Sequence, residues 1–179
     1  MKRIGGLVLV IAAALPGVTP LPADADSKYK PCSLLTSAEV EGVLGTKVAG
    51  TQENDVTVTQ GAYKGETMSG CTWGTTSQVS ASLGVIRGPR SPEEKAAGGA
   101  SLRRLLDGLK AKGWTVEAAN TPGALCSRAT PPASSKTAPT FASCFSEAKG
   151  LGFSVYVFSP TATPQQVKGL ADKAAARLP

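Results

Sequence analysis

Four cysteines behind an export leader, Cys32, Cys71, Cys126 and Cys144, constrain this chain more than any other feature. Lys2 and Arg3 precede an apolar run from Ile4 to Leu15, Pro16 and Gly17 break it, and Ala23-Asp24-Ala25 offers small residues for cleavage. That order reads as a secretory signal peptide over residues 1–25, cleaved near Ala25. The apolar run holds 12 residues, short of the roughly 18 that a transmembrane helix needs, so no transmembrane anchor is expected. The remaining 26–179 is long enough for a single exported domain with a core of its own.

In an oxidising compartment an even number of cysteines is expected to pair. Four cysteines allow three connectivities. Cys32 with Cys71 and Cys126 with Cys144 is preferred, because each pair then stays within one half of the chain. In the loop-entropy picture such closures contribute about 4 and 3 kcal/mol. A thiolate metal site would space its ligand pairs by two to four residues, and the gaps of 38, 54 and 17 residues do not, so no metal or other cofactor is expected. The chain contains no histidine, which removes Ser-His-Asp and Cys-His nucleophiles and His-ligated zinc or haem.

Three helix starts share one chemistry, a hydroxyl followed three residues on by Glu or Gln: Thr36 with Glu39, Ser91 with Glu94, and Thr163 with Gln166. The first helix is short and ends at Gly45. The second runs from about Pro92 to Lys112 with Leu102, Leu105, Leu106 and Leu109 as its buried stripe, and Gly113 ends it. The third carries Val167, Leu170, Ala171, Ala174 and Leu178 at the same spacing. Alternation from Val79 to Val85, and the apolar run from Phe153 to Phe158, predict strands. Trp114–Ala118 and Phe141–Glu147 are further strands, Val56–Thr59 is a weaker one, and 129–140, rich in Pro, Ser and Thr, reads as a long loop. Trp73, beside Cys71, is expected in the core against the disulfide.

The fold class is therefore α+β: an antiparallel sheet with the two longer helices on one face and a short N-terminal helix. The order Cys71, strand, Ser91-Pro92, Leu-rich helix parallels Cys144, strand, Thr163-Pro164, terminal helix, with Cys-to-Pro intervals of 21 and 20 residues. A degenerate internal duplication and chance convergence both account for that parallel.

Pro31-Cys32-Ser33-Leu34-Leu35-Thr36-Ser37-Ala38-Glu39-Val40, the later Cys71-Thr72-Trp73 and the Ala-rich ending Ala176-Arg177-Leu178-Pro179 resemble a family of bacterial exported proteins. The family is common in high-GC Gram-positive bacteria, many members are lipoproteins, and it is described as a domain of unknown function. The resemblance implies export and structural cysteines and carries over no catalytic residue. This chain departs from it by lacking a lipidation cysteine.

Two Ser-x-x-Lys pairs, Ser27 with Lys30 and Ser146 with Lys149, are the sharpest enzyme motif. Sixteen Ser and 12 Lys among 179 residues predict such pairs by chance, and Ser146 reads as the start of a turn rather than a helix, so they carry little weight. Glu39, Glu41, Glu93, Glu94 and Asp107 could supply paired carboxylates for glycoside hydrolysis, but helix capping and exposed first turns already account for the four glutamates. Basic residues gather between 87 and 112: Arg87, Arg90, Arg103, Arg104, Lys110 and Lys112, with Lys95 among them. Such a run fits contact with an anionic surface, and fits better the ordinary solvated face of an amphipathic helix. No aromatic residues interleave with it, so nucleic acid is not an expected partner. The reading is a monomeric, non-catalytic exported protein that binds an envelope partner, anionic polymer or small ligand. The alternatives are a small secreted hydrolase using Ser/Lys or carboxylate chemistry, and a secreted inhibitor presenting the 129–140 loop.

Overall fold

A computed structural model describes residues 18–20, 29–59, 63–76, 79–121, 123–135 and 137–178. Eight strands form one antiparallel sheet: β1 (Val18–Pro20), β2 (Gly50–Val58), β3 (Thr67–Gly74), β4 (Ser80–Arg87), β5 (Thr115–Thr121), β6 (Ala124–Thr130), β7 (Phe141–Ala148) and β8 (Leu151–Phe158). Their order across the sheet is β1-β2-β3-β4-β8-β7-β6-β5. Among the described residues three helices accompany it, α1 (Ser37–Leu44), α2 (Pro92–Ala111) and α3 (Pro164–Ala176), with a 3-10 turn at Pro31–Ser33. Apart from β1, which pairs with Val56–Val58, the stretch read as the leader lies outside the described residues, as does Ser27.

Both disulfides pair as expected, Cys32 with Cys71 and Cys126 with Cys144. The first fastens the 3-10 turn to β3. The second joins register partners on β6 and β7. Among the described residues no helix is long and apolar enough to cross a membrane.

Strand alternation divides the sheet into two faces with different cover. On the front, Phe153, Val155 and Val157 of β8 meet Leu83 and Val85 of β4, Trp73 and Cys71 of β3, and Cys144 of β7. Val40 and Leu44 of α1 and Val167, Leu170 and Ala174 of α3 close over them. On the back, Tyr156 and Phe158, the intervening β8 residues, join Phe141, Ala129, Trp114 and Val116 beneath Leu106 and Leu109 of α2. Trp114, Phe141 and Phe158 stack in sequence with ring centroids 6.0 and 5.9 Å apart.

The two longer helices thus lie on opposite faces, not on one. The front is already occupied: the disulfide at Cys71 holds the 3-10 turn and α1 against β3 and β4, and α3 covers β6, β7 and β8. The back carries α2 only toward the β5 end. This arrangement also undoes the duplication in its full form. β3-β4 and β7-β8 do meet symmetrically at the centre of the sheet. A two-fold axis through that centre keeps faces, so it cannot exchange α2 with α3.

Local chemistry explains the helix ends. Thr36 with Glu39 and Thr163 with Gln166 form complete capping boxes. Ser91 accepts from the Glu94 N–H at 3.2 Å, but the Glu94 carboxylate turns to Arg87 and to the Arg90 N–H instead of completing the box. Gly113 follows α2 at φ 82°, a conformation that favours glycine. Gly88 is required by close approach, since a Cβ there would stand 2.6 Å from the Gly150 carbonyl oxygen.

Three elements differ from the sequence-based expectation. β2 begins at Gly50, β6 occupies 124–130, and the loop starts at Pro131. Within that loop only Ala133, Ser134 and Thr137 are exposed among the described residues, so it is folded against the body rather than projecting as an inhibitor loop would.

Candidate anionic-ligand cleft

The six basic residues expected to meet an anionic surface do not form one patch. Arg87 and Arg90 belong to an ion-pair cluster that anchors the start of α2. The Arg87 Nε donates to Glu66 at 2.7 Å, its Nη1 and Nη2 donate to Glu94, and the Arg90 Nη2 donates to Glu66 at 2.9 Å. The Arg87 guanidinium also lies 5.1 Å from the centre of the Tyr63 ring. Hydrogen bonding from Arg87 and from the Arg90 N–H brings the Glu94 carboxyl down to about 2. Glu66 is lowered too, by Arg87 first. These cations are satisfied structurally, and a ligand would have to compete with two carboxylates for them.

The second half of α2 is different. Arg103, Leu106, Asp107 and Lys110 follow the i, i+3, i+4, i+7 spacing and share one helix face. With Ala118 of β5 and Ala124 and Leu125 of β6 they line a cleft of about 490 Å³. Leu106, Ala118 and Leu125 make its floor apolar and Ala124 borders it, its side chain turned to the front core, while Arg103 and Lys110 put cations on the helix side. Asp107 is the counter-charge, 3.7 Å from the Lys110 Nζ, with both side chains largely exposed. Such a pair contributes little and opens readily. Arg104 on the same half of α2 and Lys112 at its C-cap are exposed, and Arg104 donates to the Ser101 Oγ at 3.3 Å. Among the described residues Arg103, Arg104 and Lys112 have no carboxylate within 4.0 Å. Leu105, on the other flank of the helix, is 43% exposed.

The enzyme motifs are taken up by other contacts. Ser146 lies within β7 rather than at a turn, and the Lys149 Nζ donates 2.6 Å to the Leu178 carbonyl. Glu39 binds Arg177 and caps α1. Glu41 binds Lys47 at 2.9 Å. Both stand on the front-face helix α1, away from Glu93, Glu94 and Asp107 on the back-face helix α2, so the two groups of carboxylates do not converge. Among the described residues no group of three or more His, Cys, Asp or Glu is placed to hold a metal ion.

Ala118 was legible only as a strand residue, and Ala124 and Leu125 escaped sequence reasoning because 124–130 shows no clear two-residue period. Pro122-Gly123 between two strand-length segments was the available signal for a hairpin. Comparison with known proteins finds no matching family model, curated protein or solved structure.

Proposed function

We propose that the chain is a non-catalytic, exported binding module of the cell envelope, and that the α2–β5–β6 cleft takes an anionic partner or ligand. One observation carries this reading. The half of α2 beyond its ion-paired anchor presents four cations, Arg103, Arg104, Lys110 and Lys112, against the single carboxylate of Asp107, beside an apolar-floored cleft. The two disulfides suit an oxidising compartment, and the leader-like start supports export.

The test is retention of the mature chain on immobilised polyphosphate across a salt gradient. Arg103→Glu with Lys110→Glu is expected to elute at markedly lower salt, since each lost phosphate contact flattens the salt dependence. Arg87→Gln is expected to elute with the parent. Elution of all three at the same salt would sink the proposal.

A further inference from the structure

We infer that β5 is a strand-acceptor edge, and that the partner of the cleft is an extended acidic peptide segment which adds to the sheet there. The inference rests on the proposed cleft and specifies what fills it. β5 is the last strand of the sheet. None of the described backbone hydrogen bonds outside the sheet ladder involves Thr115–Thr121.

The direction of the free groups follows from the neighbouring disulfide. Cys126 and Cys144 are register partners with Cα atoms 4.0 Å apart, the close spacing of a pair that does not exchange backbone hydrogen bonds. The Cys126 N–H and C=O therefore turn away from β7 toward its β5 partner, Ala119. Alternation then turns the N–H and C=O of Val116 and Ala118 outward, away from β6. The same two residues place their side chains on the back face, Val116 in the cluster beneath α2 and Ala118 in the cleft. An added strand would thus set every second side chain beside α2.

Edges that must stay unpaired carry Pro, Lys, a bulge or a cover. Among the described residues β5 has none of these: its sequence is Thr-Val-Glu-Ala-Ala-Asn-Thr, and its pairing with β6 runs unbroken from Thr115 to Thr121. Its one charge, Glu117, falls on the front, opposite Arg128. Arg103 and Lys110 on the back favour carboxylates at alternate positions of the guest. A second copy of this chain is disfavoured as the occupant, because edge-to-edge pairing would bring two such cationic helix halves together. The opposite edge, β2 once the leader is removed, has Glu53 and Asp55 in place of a cationic stripe.

The experiment measures fluorescence anisotropy of a labelled peptide of alternating Asp and Val with the mature, disulfide-bonded chain. The control is the same peptide N-methylated on alternate residues, which keeps the charge and removes one edge of donors. The methylated peptide is expected to bind about tenfold or more weakly, the worth of one to two main-chain hydrogen bonds plus a steric block. Ala118→Pro should cause a similar loss, and Arg103→Ser with Lys110→Ser should weaken binding and flatten its salt dependence. If Ala118→Pro does not fold, the two peptides on the unaltered protein still decide. Equal binding of both peptides, or retention of polyphosphate with neither peptide bound, overturns strand addition and leaves the cleft standing. Failure of polyphosphate and peptides alike overturns both readings. Light scattering that shows a dimer dissociated by Ala118→Pro would also overturn it, giving the edge to a second copy.

Discussion

Glu39 serves several partners at once. Its carboxylate accepts from the Thr36 N–H at 3.0 Å and from both terminal nitrogens of Arg177 at 2.6 and 2.8 Å, with Lys173 3.4 Å away. Arg177 first, and the Thr36 N–H second, hold this carboxyl well below the usual carboxylate range. A depressed pKa contributes stability above the unfolded value, near pH 4.3, and that contribution is lost as the pH falls toward the folded value. Glu39→Gln is therefore expected to cost about 1 kcal/mol near neutral pH, reduced by the exposure of Arg177, with the difference from the parent shrinking below about pH 4. Thermal melts of both proteins from neutral to acid pH check this, and a difference unchanged down to pH 3 would contradict it. The Thr36–Glu39 box was legible in four consecutive residues. Arg177 was not, because nothing local connects positions 138 residues apart.

The three helices are anchored unequally. α3 buries Val167, Leu170, Ala171 and Ala174 in the main core, whereas α2, the longest, buries only Leu106 and Leu109 and depends on ion pairs at its start. Leu106→Asp forces a charge into that small back-face cluster and should cost about 2–3 kcal/mol. Hydrogen exchange should then quicken in α2 and β5 while α3 keeps its protection. Loss of protection in α3 to the same degree would show that the two faces unfold as one unit. Thr163→Ala removes the hydroxyl cap of α3 and should cost about 1 kcal/mol, read from chemical denaturation. The leucine spacing of α2 predicted a buried stripe and a helix formed there. Leu105 is nevertheless the largest exposed apolar side chain among the described residues, because a helix crossing one end of a sheet meets cover on one flank only. Periodicity tells which residues can face a core, and neighbours in space settle how much core there is.

Across the whole molecule the disulfides and the sheet divide the work. Cys32–Cys71 closes the longer loop, with a separation of 39 against 18 for Cys126–Cys144, and it ties the N-terminal turn to the sheet covalently, beside the Cys32 N–H bond to Glu53. Replacing both members by Ala should cost about 4 kcal/mol for the first pair and about 3 for the second. Guanidinium denaturation would test that order, and limited proteolysis of the first variant should cut ahead of α1. The amino-acid sequence was sufficient for what depends on near neighbours or on counting: helix starts and stops, the strands with a clear period or an apolar run, the cysteine pairing within halves, and the loss of every imidazole-based mechanism. It misplaced α2, left β6 unseen and drew one basic patch where there are two groups of different character. Each of those depends on which surfaces remain free once other elements have docked. The 3-10 turn, α1 and α3 occupy the front of the sheet, so α2 crosses the back. Glu66 and Glu94 then neutralise Arg87 and Arg90, and the cations beyond them are left beside an open edge.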